Sequence, residues 1–293
     1  MEQSLRFAGF SSGQRPFLSL AQRTVFPKQC AFVMGIVNAT PDSFWEGSRG
    51  GAEQALRLIE EGADILDIGG ESTRPGSGYV DAQTEFSRIV PVIQEIRRHS
   101  DIPISVDTRK RSVMQAAFDA GADMLNDVSA LEDDAHLAAW CAEKKIPVVL
   151  MHKRGIPAIM QENTQYGNVC AEVSAYLEER ALYAMQQGIE RGKIILDPGI
   201  GFGKNLAANI SLMRACGKLC NGEFPVLMAL SRKSCIGELT GRAVQDRLCG
   251  TLTADLLCVQ SGAFMLRVHD VAAAVDSLAV LAALTCKRGS NSV

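Results

Sequence analysis

Long apolar runs, paired cysteines and clustered histidines are missing from this sequence, and each absence removes a class of protein. No apolar run approaches the roughly 20 residues that a membrane-spanning helix needs. The first 30 residues hold no uninterrupted apolar stretch of the kind a signal peptide uses. The nine cysteines, at positions 30, 141, 170, 216, 220, 235, 249, 258 and 286, are odd in number and never form a C-x-x-C pair. Scattered thiols of this kind read as buried and reduced, which points to the cytoplasm rather than to a disulfide scaffold. Four histidines are too few to suggest a His/Cys transition-metal site. A net charge of −3 leaves no basic surplus, which argues against a nucleic-acid or anionic-membrane binder.

What the chain does have is the length and apolar content of one large α/β domain: 293 residues, 47% hydrophobic and 22% charged. Eight short apolar runs, at 32–37, 65–68, 104–106, 124–125, 148–151, 194–196, 226–230 and 264–268, are bounded by polar residues or glycine. Helical period fills most of the gaps. Ala52, Ala55, Leu56 and Ile59 follow i, i+3, i+4, i+7, as do Val113, Ala116, Ala117 and Ala120. Val271, Ala274, Val275 and Leu278 repeat the pattern behind Asp270, a residue suited to an N-cap. Gly62-Ala63-Asp64, Gly121-Ala122-Asp123 and Gly262-Ala263-Phe264 each close a helix and open a strand, with the glycine expected in the left-handed conformation.

Eight strand–helix units in this length predict a single (β/α)8 TIM barrel over residues 32–288. A short N-terminal extension over 1–31, rich in Ser, Gly, Arg and Gln, is either a tail or a hairpin plugging one end of the core. Residues 289–293 form a C-terminal tail. A doubly wound open sheet is the alternative, and periodicity alone does not separate the two.

A barrel collects its functional groups at the C-terminal ends of the strands. Read in order, those positions hold Asn38, then Glu71-Ser72-Thr73-Arg74, Asp107, Asn126, His152, Asp197, Ser231-Arg232-Lys233, and Arg267 with His269. Asp107, Asn126, Asp197 and Lys233 suit a flat heterocycle that offers both N–H donors and carbonyl or ring-nitrogen acceptors. The plainer role for either aspartate is to cap the helix that follows. Arg74, Arg267 and His269 beside Thr73 suit a polyanion such as pyrophosphate. For His269 the plainer role is a strand-end histidine bonded to the next helix. Asn38 supplies a neutral oxygen for Mg²⁺ alongside phosphate oxygens and waters. The loops 38–47 and 69–78, long and rich in glycine and proline, read as lids. The segment 197–204 lacks the spacing of a nucleotide-binding P-loop, and its glycines let Phe202 fold over a planar ligand.

Five strings in order, Gly35-Ile36-Val37-Asn38-Ala39-Thr40-Pro41-Asp42-Ser43-Phe44, Gly69-Gly70-Glu71-Ser72-Thr73-Arg74-Pro75-Gly76, Asp197-Pro198-Gly199-Ile200-Gly201-Phe202-Gly203-Lys204, Ser231-Arg232-Lys233-Ser234 and Arg267-Val268-His269-Asp270, resemble the dihydropteroate synthases. The likeness runs from about Phe32 to the last helix. It implies a cytoplasmic transferase of folate biosynthesis, commonly a homodimer and a sulfonamide target. Such an enzyme condenses 6-hydroxymethyl-7,8-dihydropterin pyrophosphate with 4-aminobenzoate by an SN1-like, Mg²⁺-dependent route. By the same resemblance, Asp107, Asn126, Asp197 and Lys233 hold the pterin, with Arg267 against its ring. Asn38, Thr73, Arg74, Arg267 and His269 surround the pyrophosphate and its Mg²⁺. Phe202, Thr73, Pro75, Ser231 and the stem of Lys233 take the 4-aminobenzoate. Asp42, Phe44 and Glu46 of the first lid join Thr73, Arg74, Lys233, Arg267 and His269 as the catalytic set.

The chain departs from the family's usual pattern in two places. Trp45-Glu46-Gly47-Ser48 replaces Ser-Asp-Gly-Gly, and Ala229 stands where glycine is common beneath the pterin. These changes bear on rate and inhibitor fit more than on reaction type. A corrinoid methyltransferase of the same barrel type needs neither Thr73-Arg74-Pro75 nor Ser231-Arg232-Lys233. An inactive barrel would be expected to have lost Lys233, Arg267 or His269, and all three are intact. A Schiff-base aldolase wants its lysine inside a strand, whereas Lys233 lies beyond one.

Overall fold

The computed structural model describes residues 15–39, 48–72, 78, 80–155 and 160–285. A small antiparallel hairpin, β1 (Leu18–Ser19) and β2 (Thr24–Val25), comes first. Eight parallel strands follow: β3 (Phe32–Asn38), β4 (Ile65–Gly69), β5 (Ile104–Asp107), β6 (Met124–Asp127), β7 (Val148–Met151), β8 (Ile194–Asp197), β9 (Leu227–Met228) and β10 (Met265–Val268). Around them lie α1 (Ser48–Glu60), α2 (Ala82–Arg97), α3 (Arg111–Asp119), α4 (Leu137–Glu143), α5 (Val169–Gln186), α6 (Leu206–Ala215), α7 (Ser234–Thr240), α8 (Leu248–Gln260) and α9 (Val271–Thr285).

The strand order is β8-β7-β6-β5-β4-β3-β10-β9. Its two ends meet through a parallel bridge between Leu196 and Val226 and a 2.9 Å bond from the Leu196 N–H to the Pro225 carbonyl. The ring is therefore a barrel and not an open sheet. The expected strand at 226–230 is trimmed to two residues. Two consecutive N–H groups, of Phe264 and Met265, converge on the Val226 carbonyl at 2.8 and 3.2 Å, a bulge-like irregularity that interrupts the ladder.

Period-two alternation sends the two faces of each strand to different cores. Phe32, Met34, Ile65, Met124, Val149, Ile195, Leu227 and Met265 fill the barrel, while Val33, Leu66, Val106, Leu125, Leu150 and Leu196 pack outward beneath the helices. Each such buried side chain stabilises the fold by about 1.5–3 kcal/mol relative to exposure. Leu18 and Leu20 of the hairpin join the interior set at the N-terminal ends of the strands, and the Lys193 ammonium donates to the carbonyls of Ser19 and Leu20 at 3.1 Å. The hairpin thus seals the end of the barrel opposite the polar strand ends.

On α1, Leu58 rather than Leu56 is fully buried, so the apolar face is rotated slightly from the expected one. Gly62, Gly121 and Gly262 adopt φ of +102°, +112° and +109°, the conformation their helix-to-strand position requires.

Candidate active site at the C-terminal mouth

The interior parity that is apolar at the base of the barrel turns polar near its top. Asp67, Ser105, Asp107, Asn126, Asp197 and Arg267 share the inward register of the apolar fillers. Arg267 is the hub. Its Nε donates to Asp67 Oδ2 at 2.6 Å and its Nη2 to Asp107 Oδ2 at 3.1 Å. The same Asp67 oxygen accepts from Asn126 Nδ2 at 3.0 Å. A carboxylate as deeply buried as Asp67 is tolerable only when it is paired, and here one oxygen serves a guanidinium and an amide. Burial opposes the Arg267 charge, but Asp67 and Asp107 outweigh it and hold the guanidinium protonated. Asp107 is pushed up to about 7 by burial, against the pull of Arg267.

Asp67 was not among the residues singled out from the sequence, where it lies within the apolar run 65–68. The available signal was an aspartate at the inward position of an otherwise apolar strand, sharing the parity of Ile65.

Asp197 and Lys233 form a second group across the mouth. Burial lowers Lys233 to about 8, with Asp197 opposing that shift. The Lys233 ammonium lies 4.3 Å from the centroid of the Phe202 ring, so the two side chains stack as one wall. Asp197 is raised by burial, against the Gly199 N–H that donates to its Oδ1 at 2.7 Å. Neither aspartate caps a helix. The N-cap of α3 is Lys110, and that of α6 is Asn205, whose Oδ1 accepts from the Ala208 N–H.

The loop carrying Phe202 sits hard against the end of β7. Gly199 has φ of +66°, and a Cβ built there would stand 1.8 Å from the His152 carbonyl oxygen. His152 turns to this loop, with its Nδ1 2.8 Å from Lys204 Nζ.

Ser231 and His269 meet directly: the serine Oγ accepts from the His269 N–H at 3.2 Å and lies 3.0 Å from its Nδ1. His269 is thus tied to the β9 end. Arg232 faces Asp270 at the start of α9 instead of the mouth. Glu71 is engaged by Lys110 at 2.7 Å and Arg109 at 3.2 Å; burial works to raise it and those cations bring it below the usual range. It anchors the base of the second loop. Asn38, half-buried at the end of β3, pairs in register with Gly69. Ala229 lies in the barrel interior with Leu227. Asp42, Phe44, Trp45 and Glu46 of the first loop, and Thr73, Arg74 and Pro75 of the second, lie outside the described residues.

Residues 34–269 match the family of pterin binding enzymes. The dihydropteroate synthase of Neisseria meningitidis serogroup B is 45% identical over 263 residues, covering 86% of this chain and 92% of that protein. Xanthomonas albilineans dihydropteroate synthase, solved with 4-aminobenzoic acid, superposes with a TM-score of 0.87 at 45% identity, covering 93% of this chain and 99% of the other. The same enzyme in complex with 7,8-dihydropteroate gives 0.83 at 43%, over 92% and 99% of the two chains. The match spans both groups at the mouth, from the β3 end to His269, so the chain belongs to the dihydropteroate synthases of the pterin binding enzyme family.

Proposed function

We propose that this chain joins 4-aminobenzoate to 6-hydroxymethyl-7,8-dihydropterin pyrophosphate, giving 7,8-dihydropteroate and pyrophosphate in folate biosynthesis. The observation that carries the reading is the convergence of Asp107, Asn126 and Arg267, with Asp197 and Lys233 opposite, at one mouth of the barrel. Ionised Asp107 and Asp197 accept from the pterin N–H groups. The second N–H of Asn126 and the Lys233 ammonium donate to its ring nitrogen and carbonyl. Arg267, already fixed by two carboxylates, lies flat against the ring.

The C–O bond at the pterin methylene breaks with its electron pair leaving on pyrophosphate. The aryl amine then attacks the resulting cation, forming the C–N bond and losing one proton. Arg267 and His269, with Thr73 and Arg74, stabilise the departing oxyanions, and a well-placed donor of this kind contributes about 3–4 kcal/mol. Asp42 and Glu46 put negative charge beside the cation, and Phe44 helps the first loop exclude water. The Phe202–Lys233 wall, Thr73, Pro75 and Ser231 enclose the 4-aminobenzoate. Sulfonamides, which mimic that substrate, compete for the same place; the Yersinia pestis dihydropteroate synthase, 35% identical, was solved with a sulfonamide drug complex.

Asn38 fits a Mg²⁺ site. It is half-buried at a strand end, with a neutral carboxamide oxygen to offer. One protein oxygen suits an ion that keeps its waters and phosphate ligands. Bound there, Mg²⁺ supplies charge that neutralises the pyrophosphate oxygens.

No helix among the described residues is long and apolar enough to cross a membrane. Cys141, Cys170, Cys216, Cys235, Cys249 and Cys258 form no disulfide, which supports a cytoplasmic location. Leu239, Val244 and Leu257 are more than half exposed on and beside α7 and α8, which supports association into a homodimer. Sedimentation of the purified chain tests that assembly.

The deciding experiment supplies both substrates and Mg²⁺ and follows dihydropteroate and pyrophosphate together. Equal formation of the two, lost with EDTA and nearly abolished in Lys233→Ala, is the expected result. Pterin binding with neither product would sink the reading.

A further inference from the structure

We infer that Lys204 is a positioning residue for the aryl-amine half of the site, holding Phe202 in place by clasping its loop to the end of β7. The inference rests on the functional reading above and names a residue that reading leaves idle.

Lys204 is only 3% exposed, yet it is a cation with a full set of partners. Its Nζ donates to His152 Nδ1 at 2.8 Å, to the Gly199 carbonyl at 2.9 Å and to the Phe202 carbonyl at 3.0 Å, with the His152 carbonyl at 3.4 Å. Three ammonium protons therefore join the strand end at His152 to both ends of the turn that presents the Phe202 ring. Phe202 itself is held at its backbone by that carbonyl bond and by its own N–H to Gly199. Its ring in turn carries Lys233 at 4.3 Å. Loosening the clasp displaces the wall against which 4-aminobenzoate packs. Asp107, Asn126 and Arg267 are tied to one another without Lys204, so that side of the pterin site stays where it is.

The clasp also titrates. Burial lowers Lys204 to about 7, with Asp197 opposing and with Lys233 and Arg154 adding to the shift. Burial, Lys204 and Arg154 together lower His152 to about 3, so the imidazole is neutral and accepts through Nδ1. Above about pH 7 Lys204 loses one donor and its charge, and the hold on Phe202 slackens. The 4-aminobenzoate carboxylate keeps the same charge across that range.

The test is the steady-state KM of each substrate from pH 6 to 9 for the wild type, Lys204→Met and Lys204→Arg. Lys204→Met is expected to raise the 4-aminobenzoate KM about tenfold or more. The KM of the pterin pyrophosphate should rise clearly less, because Asp107, Asn126 and Arg267 are held without Lys204. In the wild type the 4-aminobenzoate KM should rise as pH passes about 7. That step should vanish in Lys204→Met, while Lys204→Arg, a cation that does not titrate there, should regain affinity without it. An equal rise in both KM values, or an unchanged 4-aminobenzoate KM in a folded Lys204→Met protein, overturns the inference. If Lys204→Met does not fold, the wild type is compared with Lys204→Arg, and a 4-aminobenzoate KM that depends on pH identically in the two overturns it. Wild-type protein that forms no dihydropteroate defeats the functional reading itself, whereas an active wild type indifferent to Lys204 defeats only this inference.

Discussion

Arg267 and Asp67 are 200 residues apart in the chain and 2.6 Å apart at Nε and Oδ2. The contact crosses the barrel interior just below the mouth, and it decides where the guanidinium can point. Because the same oxygen also holds Asn126, removing Asp67 takes one of two carboxylates from a buried cation and the partner from a buried amide. Asp67→Ala is expected to lower stability by about 3–5 kcal/mol, the usual result of breaking a buried pair from one side. Urea unfolding measures it, and a loss below about 1 kcal/mol would remove the pairing from the account.

Arg267→Lys tests the fork rather than the charge. A lysine offers one point donor and does not reach Asp67 and Asp107 in the two-pronged geometry that arginine uses. The expected loss in kcat/KM is about 100-fold or more, with the folded state retained. Near-wild-type kinetics in this variant would mean that only the positive charge matters.

Asp107 makes the fold sensitive to pH in a direction that follows from its shift. Burial raises it from 3.8 in the unfolded chain to about 7. A raised carboxyl leaves stability intact below 3.8 and costs stability as pH climbs through about 7, because ionisation is harder in the folded state. Asp107→Asn should therefore gain on the wild type between pH 4 and 7, and level off above that range. Thermal unfolding across that range checks it; a constant difference between the two proteins would contradict the shift.

Asp255, on the inner side of α8, is fully buried, and neither carboxyl oxygen has a hydrogen-bond partner among the described residues. Burial alone raises its carboxyl well above the ordinary range. Asp255→Leu removes that desolvation and is expected to stabilise the protein by about 1–3 kcal/mol at pH 8. The gain should shrink as pH falls below the ordinary value of 3.8, where the wild-type carboxyl is protonated in both folded and unfolded chains. Equal melting temperatures at both ends of that range would count against an unpaired acid there.

The barrel was legible because its periods are local properties. Apolar runs of strand length, helical spacing between them and glycines at Gly62, Gly121 and Gly262 fix the element order without reference to any distant contact. Polar groups at the strand ends were equally visible, since a residue's place at the end of an apolar run can be read along the chain. The chain by itself thus determined the α/β element order, the family and most members of the candidate site, Asp107, Asn126, Asp197, Lys233 and Arg267, whereas closure of the strands into a ring rests on the contact of Leu196 with Pro225 and Val226.

What each of those groups is bonded to was decided only in three dimensions. Asp67 looks like part of an apolar strand until barrel closure brings Arg267 and Asn126 to its carboxylate. Lys204 reads as the end of a glycine-rich loop until its ammonium is found between two carbonyls and His152. Glu71 and Arg232, polar residues at strand ends like the others, turn to Lys110 and to Asp270 instead of the mouth. Period and position say which face a side chain takes. Pairing across the ring depends on which strands become neighbours and at what register, and a buried charge then takes whichever partner that geometry supplies.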